Sequence, residues 1–258
     1  MRKREIDFSK FSSIKIGSTH PVEIIESCTD LKGNHFIIGL ANNLLVTDTP
    51  PPLAILSKKF DFIDLKDGVL RIGASTPSGK IFSFCKKQDI GGFEFLHSLP
   101  GSLGGLLYMN AGMGEVEISK HLLDLTSCKG VLTKDEAGFG YRKSGIGSLI
   151  LEASFEVVRG FSHEAVEFFK AKRLLQPNKP SAGSCFKNPP DDYAGRLIEA
   201  VGLKGYRVGG ASFSSTHANF LVNLGGATPK DALMLIDEAK RRVKESFGVD
   251  LECEIGIV

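Results

Sequence analysis

Residues 181–189 read SAGSCFKNP and directly follow QPNKP (176–180), so prolines stand at both ends of the segment. It is typical neither of a helix nor of a regular strand, because proline, glycine and small hydroxyl residues favour turns. It nevertheless carries two serines, a cysteine, a lysine and an asparagine. On these residues alone, Ser181, Ser184 or Cys185 is either a reactive group or part of a turn.

The overall composition restricts the classes of function. The 258 residues carry 32 basic and 30 acidic side chains and are 42% hydrophobic. This balance is typical of a globular protein and gives no basic surface for nucleic acid or an acidic membrane. The charged start (1–10) lacks the apolar core of a secretory signal, and no apolar run reaches the ~18 residues of a membrane span. We therefore expect a cytoplasmic protein with neither nucleic acid nor membrane as partner.

The cysteines and histidines predict no metal site. The histidines have no ligand-like spacing, and the cysteines are odd in number, widely separated and without a C-x-x-C pair. The pattern favours neither a disulfide framework nor zinc, and it fits a reducing compartment. The five cysteines are Cys28, Cys85, Cys128, Cys185 and Cys253.

The pattern before residue 159 predicts short strands separated by glycine turns. Strands are expected at 35–40, 53–57 and 151–157, and Asp67-Gly68 predicts a hairpin between 62–65 and 69–72. Thr76-Pro77 is typical of a helix start, with an apolar face on Ile81, Phe84 and Cys85 and an end at Gly91-Gly92.

The pattern after Gly160 predicts more helix. Ser162 is expected to cap a helix that carries Ala165, Phe168 and Phe169 and ends near Gln176-Pro177, and 194–201 has helical spacing before Gly202. A strand is expected at 218–223. Thr228-Pro229 begins a long helix that ends at Gly248, and the alternating tail predicts a last strand with Leu251, Cys253, Ile255 and Ile257 on one face.

Two glycine loops could bind a phosphate group. GLANNLLVTD (39–48) leaves a buried strand, and LPGSLGGLLYMNAGMG (99–114) lets backbone N–H groups approach a ligand without Cβ obstruction. Neither loop has the Walker or the dinucleotide-binding pattern, which argues against those folds. For each loop alone, tight turns and close helix packing are the favoured explanation.

The ordered combination of motifs is more specific than any one of them. After the two glycine loops come FGYRKS (139–144), QPNKPSAGSCFKNP (176–189), a long block at 194–223, and LECE (251–254). This series closely resembles the UDP-N-acetylenolpyruvoylglucosamine reductases, flavoenzymes of bacterial peptidoglycan synthesis. The resemblance spans almost the whole chain.

The resemblance implies an α+β flavoprotein with two lobes. A non-Rossmann FAD-binding lobe, of the kind found in vanillyl-alcohol oxidase, would comprise 1–158 in two subdomains split near 52, and strand 250–258 would rejoin it. A smaller α+β lobe, 159–249, would bind the substrate, UDP-N-acetylglucosamine enolpyruvate. NADPH would be the co-substrate, FAD the cofactor, and the protein a monomer.

The chain departs from the family pattern in three places. The first loop reads Leu40-Ala41-Asn42-Asn43 where the family usually has a G-S-N core, and Ser18-Thr19-His20 replaces an early G-P-A. The segment 112–120 is short and contains no added tyrosine loop. The chain therefore resembles the compact type of this enzyme.

Three residues match positions that carry the chemistry in the family. Arg142 would bind and polarise the enolpyruvyl carboxylate, because a guanidinium offers paired donors. Ser184 would donate a proton, and Glu254 would stabilise the enol intermediate as a second acid. Taken singly, these residues would be assigned to a surface, a turn and solvent. Ser181 is expected to be structural and Cys185 to be a small packing residue.

The remaining expected contacts follow from the same resemblance. Tyr141, Lys187, Asn188, His217 and Asn219 are proposed to contact the substrate, although a buried, hydrogen-bonded role fits His217 and Asn219 equally well. The FAD contacts would be Gly39, Leu40, Ala41, Asn42, Asn43, Leu44, Gly101, Ser102, Gly104, Gly105, Asn110, Ala111 and Gly112.

Two other classes of function stay open. An alcohol or sugar oxidase of the same flavin fold group would keep the glycine loops, but would not need AGSCFKNP together with Arg142 and Glu254. A non-catalytic UDP-sugar or flavin-binding protein would tolerate the altered first loop, but would not need the three catalytic matches.

Overall fold

The computed structural model describes residues 2–31 and 33–258 and mixes helices with strands along the chain, as expected for the α+β class. The α-helices in the described residues are α1 (Phe8–Phe11), α2 (Ser78–Lys87), α3 (Leu103–Tyr108), α4 (His163–Leu174), α5 (Ala194–Ala200) and α6 (Pro229–Phe247). Short 3-10 turns lie at Cys28–Asp30, Lys58–Phe60 and Glu94–His97.

The strands in the described residues are mostly short. They are β1 (Lys3–Asp7), β2 (Thr19–Ile25), β3 (Phe36–Ile37), β4 (Leu44–Leu45), β5 (Leu53–Leu56), β6 (Ile63–Lys66), β7 (Val69–Gly73), β8 (Gly112–Met113), β9 (Val116–Glu117), β10 (Leu122–Ser127), β11 (Gly130–Thr133), β12 (Ile150–Glu156), β13 (Ser181–Ser184), β14 (Arg207–Val208), β15 (Ala211–Phe213), β16 (Phe220–Asn223) and β17 (Gly256–Ile257). One four-stranded sheet has the order β1-β2-β5-β3.

The chain divides into two compact units, each assembled from three segments. Unit 1 comprises Met1–Lys3, Glu23–Leu40 and Ala54–Arg173, and unit 2 comprises Arg4–Val22, Ala41–Leu53 and Leu174–Val258. The expected lobes 1–158 and 159–249, with the returning strand 250–258, are defined by the ligands that they would bind. That division stays a prediction.

Unit 1 is built on a five-stranded antiparallel sheet with the order β11-β10-β12-β7-β6. The predicted hairpin is confirmed, because β6 and β7 join through Asp67-Gly68 with φ values of 51° and 78°. Two consecutive positive φ values match the twist of a two-residue hairpin loop, and glycine accepts one of them without strain. Leu70 and Phe155 pair across this sheet and are fully buried.

Helix α2 begins one residue later than its sequence signal predicts. Pro77 rather than Thr76 is the N-cap, since the Thr76 hydroxyl donates to the carbonyl oxygen of Phe62 at 3.1 Å. The helix ends at Lys87, before the glycine pair, and Ile81 and Cys85 are its buried apolar residues.

Unit 2 is built on the antiparallel sheet β13-β16-β15-β14 and on helix α6. The predicted helix boundaries are confirmed: Thr228 and Asp231 form a reciprocal capping box, and Gly248 ends the helix with φ 70°. The buried apolar face of α6 belongs to a core that also contains Ile14, Ile16 and Leu45 from the amino-terminal segments.

The carboxyl-terminal strand is shorter than the alternating pattern predicts. Only Gly256–Ile257 forms a strand, which pairs in parallel with Leu44–Leu45, and Cys253 makes an isolated bridge to Phe186. Ile257 is 38% exposed, so the predicted single apolar face does not extend to the end of the chain.

On α4, Phe169 is buried, whereas Phe168 is 54% exposed with Lys172 over its ring. The expectation that the cysteines form no disulfide framework is wrong for one pair. Cys28 and Cys128 form a disulfide within unit 1, across a separation of 100 residues. Odd number and wide spacing could not reveal this pair, because the fold brings the two cysteines together.

Candidate active site

The segment around Ser184 changes partners as it leaves the sheet of unit 2. Ser181 pairs with Val222 and Ser184 with Phe220, but the register shifts between the two pairs. Gly183 lies in this irregular stretch with φ 85°, a conformation that glycine adopts readily. Beyond Ser184 the chain turns to residues 252–254, where Phe186 bridges Cys253.

Asn219 holds this segment through its side chain. Its Oδ1 accepts from the N–H of Phe186 at 2.9 Å, and its Nδ2 donates to the carbonyl oxygen of Phe186 at 2.8 Å. The backbone carbonyl of Asn219 also accepts from the N–H of Cys185 at 2.7 Å. Asn219 is 3% exposed, which matches the buried, hydrogen-bonded alternative for this residue.

Backbone hydrogen bonds join the Ser184 segment to Glu254. The carbonyl oxygen of Cys185 accepts from the N–H of Glu254 at 2.9 Å, so the neighbour of Ser184 is bonded directly to Glu254. The carbonyl oxygen of Glu254 accepts from Nδ2 of Asn43 at 2.9 Å. Ser184 and Glu254 are each partly exposed. Unit 2 therefore brings two of the three predicted catalytic residues onto adjoining backbone segments.

Cys185 is a packing residue, as predicted. It is 1% exposed and belongs to the apolar core of unit 2. Burial raises the pKa of its thiol well above the ordinary value, because the thiolate would lose its hydration. The thiol therefore stays protonated and is a poor nucleophile.

Lys187 and Asn188 both have partners within unit 2. The ammonium group of Lys187 forms an ion pair with Glu252, and the Lys187 N–H donates to the Glu252 carbonyl oxygen at 2.9 Å. Oδ1 of Asn188 accepts from the N–H of Ala194 at 3.1 Å, at the first residue of α5. Sequence reasoning missed Glu252. In the alternating tail it lies on the face opposite Cys253, and that position indicates only an exposed side chain.

His217 is held by its own loop. Its Nδ1 accepts from the N–H of Asn219 at 3.3 Å, which assigns the proton of the neutral ring to Nε2. A Cβ at Gly195 would lie 3.1 Å from Cε1 of this ring, tighter than an ordinary van der Waals contact, so glycine favours the close approach. Partial burial lowers the pKa of His217, although part of the residue is open to solvent.

Arg142 lies in unit 1 with an uncommon backbone conformation. Its φ is 53°, within the turn closed by Gly140 and Lys143. Nη2 donates to the carbonyl oxygen of Gly112 at 3.2 Å, and the guanidinium lies 5.2 Å from the ring centre of Tyr141. A positive φ at a non-glycine residue costs about 1–2 kcal/mol, and such strain is concentrated at functional sites.

The glycine loops of unit 1 are tightly folded. A Cβ at Gly39 would lie 3.1 Å from Oγ of Ser102, and one at Gly104 would lie 3.2 Å from the Ala74 carbonyl oxygen. The N–H groups of Leu103 and Gly104 donate to backbone carbonyls at residues 76 and 74, so these two donors of α3 are already used.

Two buried acceptors among the predicted FAD contacts have no partner in the described part of the chain. Asn110 is 1% exposed and donates from Nδ2 to Glu117 and to the carbonyl of Gly140, whereas its Oδ1 is unpaired. In unit 2, Oδ1 of Asn42 is likewise unpaired, while its Nδ2 donates to Ser13. Buried polar atoms are nearly always bonded, so both acceptors fit a ligand with N–H or O–H donors.

The predicted residues fall into two sets. Unit 1 holds Gly39, Leu40, Gly101, Ser102, Gly104, Gly105, Asn110, Ala111, Gly112, Tyr141 and Arg142, and unit 2 holds Ala41, Asn42, Asn43, Leu44, Ser184, Lys187, Asn188, His217, Asn219 and Glu254. The described residues contain no His, Cys, Asp and Glu group suited to a metal ion, and no helix among them is long and apolar enough to cross a membrane.

Comparison with known proteins identifies the family. Residues 176–258 match the model of the UDP-N-acetylenolpyruvoylglucosamine reductase C-terminal domain. Curated proteins named UDP-N-acetylenolpyruvoylglucosamine reductase are similar over all of this chain and all of their own length: that of Helicobacter pylori is 44% identical and that of Helicobacter hepaticus 48%.

A solved structure agrees with these sequence relatives. The crystal structure of UDP-N-acetylenolpyruvylglucosamine reductase from Thermus caldophilus superposes with a TM-score of 0.87 at 32% identity, covering 100% of this chain and 99% of that one. Identity at this level over full-length chains, together with the shared fold, establishes the relationship. The chain belongs to the UDP-N-acetylenolpyruvoylglucosamine reductase family.

Proposed function

We propose that this chain reduces UDP-N-acetylglucosamine enolpyruvate to UDP-N-acetylmuramate, with FAD as cofactor and NADPH as reductant, in peptidoglycan precursor synthesis. Family membership supports the reaction. The observation that most supports its assignment to named residues is the hydrogen bond between the Cys185 carbonyl and the Glu254 N–H, because it links the proposed donor Ser184 with the second acid.

The residues present fit a flavin dinucleotide. We propose that the close-packed glycines of 39–44 and 101–112 bind its pyrophosphate, and that Oδ1 of Asn42 and Asn110 accept from its polar groups. Held by these residues, FAD would supply the hydride chemistry that links NADPH to C3 of the enolpyruvyl group. The two-lobed arrangement of a flavoprotein is part of the same proposal.

The proposed roles of the protein side chains follow from the charge that develops on the substrate. Hydride addition at C3 moves the π electrons of the C2–C3 bond onto C2 and its carboxylate. Arg142 would bind this carboxylate and stabilise the charge. The proton on Oγ of Ser184 would then pass to C2, and solvent would return a proton to Ser184. Glu254 would stabilise the enol before that transfer.

We further propose that Tyr141, Lys187, Asn188 and His217 line the binding site of the UDP-sugar, and that Lys187 interacts with its diphosphate as a point charge. Lys187 would then exchange its ion pair with Glu252 for the substrate. For Asn219, the expected substrate contact gives way to the buried, hydrogen-bonded role. A monomer acting in the cytoplasm completes the proposal.

Separate measurement of the two half-reactions tests the proposal. The purified protein should show flavin absorbance, NADPH should bleach it, and only the enolpyruvyl substrate should restore it. Ser184→Ala should leave bleaching within about threefold and slow reoxidation ~10²-fold, the usual scale of general acid catalysis. The matched control is Ser181→Ala in the same strand, which should leave both rates near those of the unaltered protein.

Other results would favour the alternatives. Absence of flavin would contradict both the reductase and an oxidase. Flavin that NADPH reduces but the enolpyruvyl substrate cannot reoxidise would contradict the proposed reaction. Equal slowing of both half-reactions by Ser184→Ala would make Ser184 a structural residue.

A further inference from the structure

The amide of Asn219 substitutes for a strand at the point where β13 ends. A peptide group in a sheet offers one N–H and one C=O to its neighbour, and a side-chain amide offers the same pair. Asn219 presents both groups to Phe186, at 2.9 Å and 2.8 Å. Phe186 is thereby held to the sheet although it lies beyond Ser184, where the pairing of β13 with β16 ends.

The same residue also holds the near end of a short hydrogen-bonded path to Glu254. The carbonyl of Asn219 holds the N–H of Cys185, and the carbonyl of Cys185 holds the N–H of Glu254. Ser184 directly precedes this hydrogen-bonded peptide. Loss of the Asn219 amide would therefore let the peptide rotate, which would displace Ser184 and Glu254 relative to each other.

Burial argues that this is a positioning role and not a substrate contact. Asn219 is 3% exposed, and both polar atoms of its side chain are bonded within the protein. The side chain therefore offers almost no accessible surface to a substrate group, and its two bonds to Phe186 fix its orientation.

We propose that Asn219 is a positioning residue for the reduction, whose side-chain amide fixes the 185–186 peptide and so sets Ser184 against Glu254. The inference rests on the proposed function, since it assigns Ser184 and Glu254 to the oxidative half-reaction. It concerns only contacts within unit 2.

The isosteric change Asn219→Asp tests the inference. The carboxylate keeps an acceptor for the N–H of Phe186 but turns a second oxygen towards the Phe186 carbonyl, so the donor is lost and the two oxygens repel. Reoxidation of reduced flavin by the enolpyruvyl substrate should slow by about 10- to 100-fold, the scale of a misplaced proton donor, while reduction by NADPH stays within about threefold.

Asn223→Asp is the matched control because the chemistry of the change is the same. Asn223 is the last residue of β16, in the same sheet as β13, and it is 7% exposed. Its Oδ1 accepts from the N–H groups of Gly225 and Ala227, and its Nδ2 donates to the Lys15 carbonyl. Asn223→Asp also turns a carboxylate towards a carbonyl, at a place without a bond to Ser184 or Glu254. Both half-reactions should stay within about threefold at a similar loss of stability.

Hydrogen exchange at the N–H of Glu254 provides a readout that does not depend on activity. It should be at least about tenfold faster in Asn219→Asp and unchanged in Asn223→Asp. Asn219→Ser, which cannot reach both groups of Phe186, replaces the aspartate variant if that variant fails to fold.

The outcomes separate this inference from the proposed function. If the unaltered protein does not reoxidise its flavin with the substrate, the proposed function fails, and exchange at Glu254 still tests the positioning contact. If the unaltered protein turns over and Asn219→Asp matches Asn223→Asp, or slows both half-reactions equally, Asn219 is only structural.

Discussion

Nδ2 of Asn43 donates a hydrogen bond to the carbonyl oxygen of Glu254 at 2.9 Å, across 211 positions of the chain. The bond lies beside the parallel pairing of Leu44 with Gly256. It ties a loop that is predicted to bind the cofactor to a residue that is predicted to act on the substrate. Both residues belong to unit 2.

Asn43→Ala should destabilise unit 2, because a partly buried carbonyl would lose its donor. We expect the free energy of unfolding to fall by about 1–3 kcal/mol, measured by urea denaturation of flavin-free protein. The exposed Asn178 provides the control, and Asn178→Ala should change the stability by no more than about 0.5 kcal/mol. Equal stability of the two variants would contradict a contribution from the bond.

Glu252→Gln should tighten binding of the UDP-sugar, since Lys187 would no longer be paired with a carboxylate. Glu252 is 72% exposed and Lys187 18%, and an exposed ion pair contributes about 0–1 kcal/mol. We therefore expect KM to fall by about two- to fivefold with kcat unchanged, measured in steady-state turnover. The control Lys187→Met should raise KM, and a rise in KM for Glu252→Gln would contradict the competition.

Reduction of the disulfide between Cys28 and Cys128 should lower stability, because the cross-link restricts the unfolded chain. For a closed loop of 100 residues the chain-entropy model gives a stabilisation of about 4–5 kcal/mol. We expect Tm to fall by about 8–20 °C on reduction and in Cys28→Ser, by calorimetry with thiol counting. Cys253→Ser, at a free cysteine, is the control. Five titratable thiols in the unreduced, unfolded protein would contradict the pairing.

Stability should fall below neutral pH partly through His217. Burial lowers the pKa of this imidazole in the folded protein, so the unfolded chain binds its proton more strongly. The contribution of His217 is therefore present above the ordinary pKa of about 6.5 and is lost as the pH falls. Urea denaturation at pH 7.5 and 5.5 should show a smaller loss for His217→Asn than for the unaltered protein. An NMR titration that places the His217 pKa above 6.5 would contradict the sign.

Local chemistry made much of the fold predictable. Asp67-Gly68 and the Thr228–Gly248 signals act through neighbouring residues, so the hairpin and the long helix could be derived from the sequence. Helical spacing could not show that Phe168 is exposed and Phe169 buried, because spacing tells only which residues share a stripe and packing sets the edge of that stripe. The predicted assignment of Arg142, Ser184 and Glu254 came from the order of the motifs along the whole chain.

Distant contacts could not be derived in this way. The hydrogen bond between Asn43 and Glu254, the disulfide, and the pair of hydrogen bonds between Asn219 and Phe186 each join segments that are far apart in the chain. Nothing in the composition of either segment identifies its partner. The role of a buried asparagine in such a place becomes visible only when its two hydrogen bonds are known.

The assembly of unit 2 from both ends of the chain has a consequence for biosynthesis. Its core needs Ile14, Ile16 and Leu45 as well as residues after 174, and Leu44 pairs with Gly256. That core cannot close until the residues after 174 have left the ribosome, whereas all segments of unit 1 have been translated by residue 173. We expect unit 1 to fold first during translation and the earlier segments of unit 2 to wait, exposed to chaperones, until residues 174–258 have emerged.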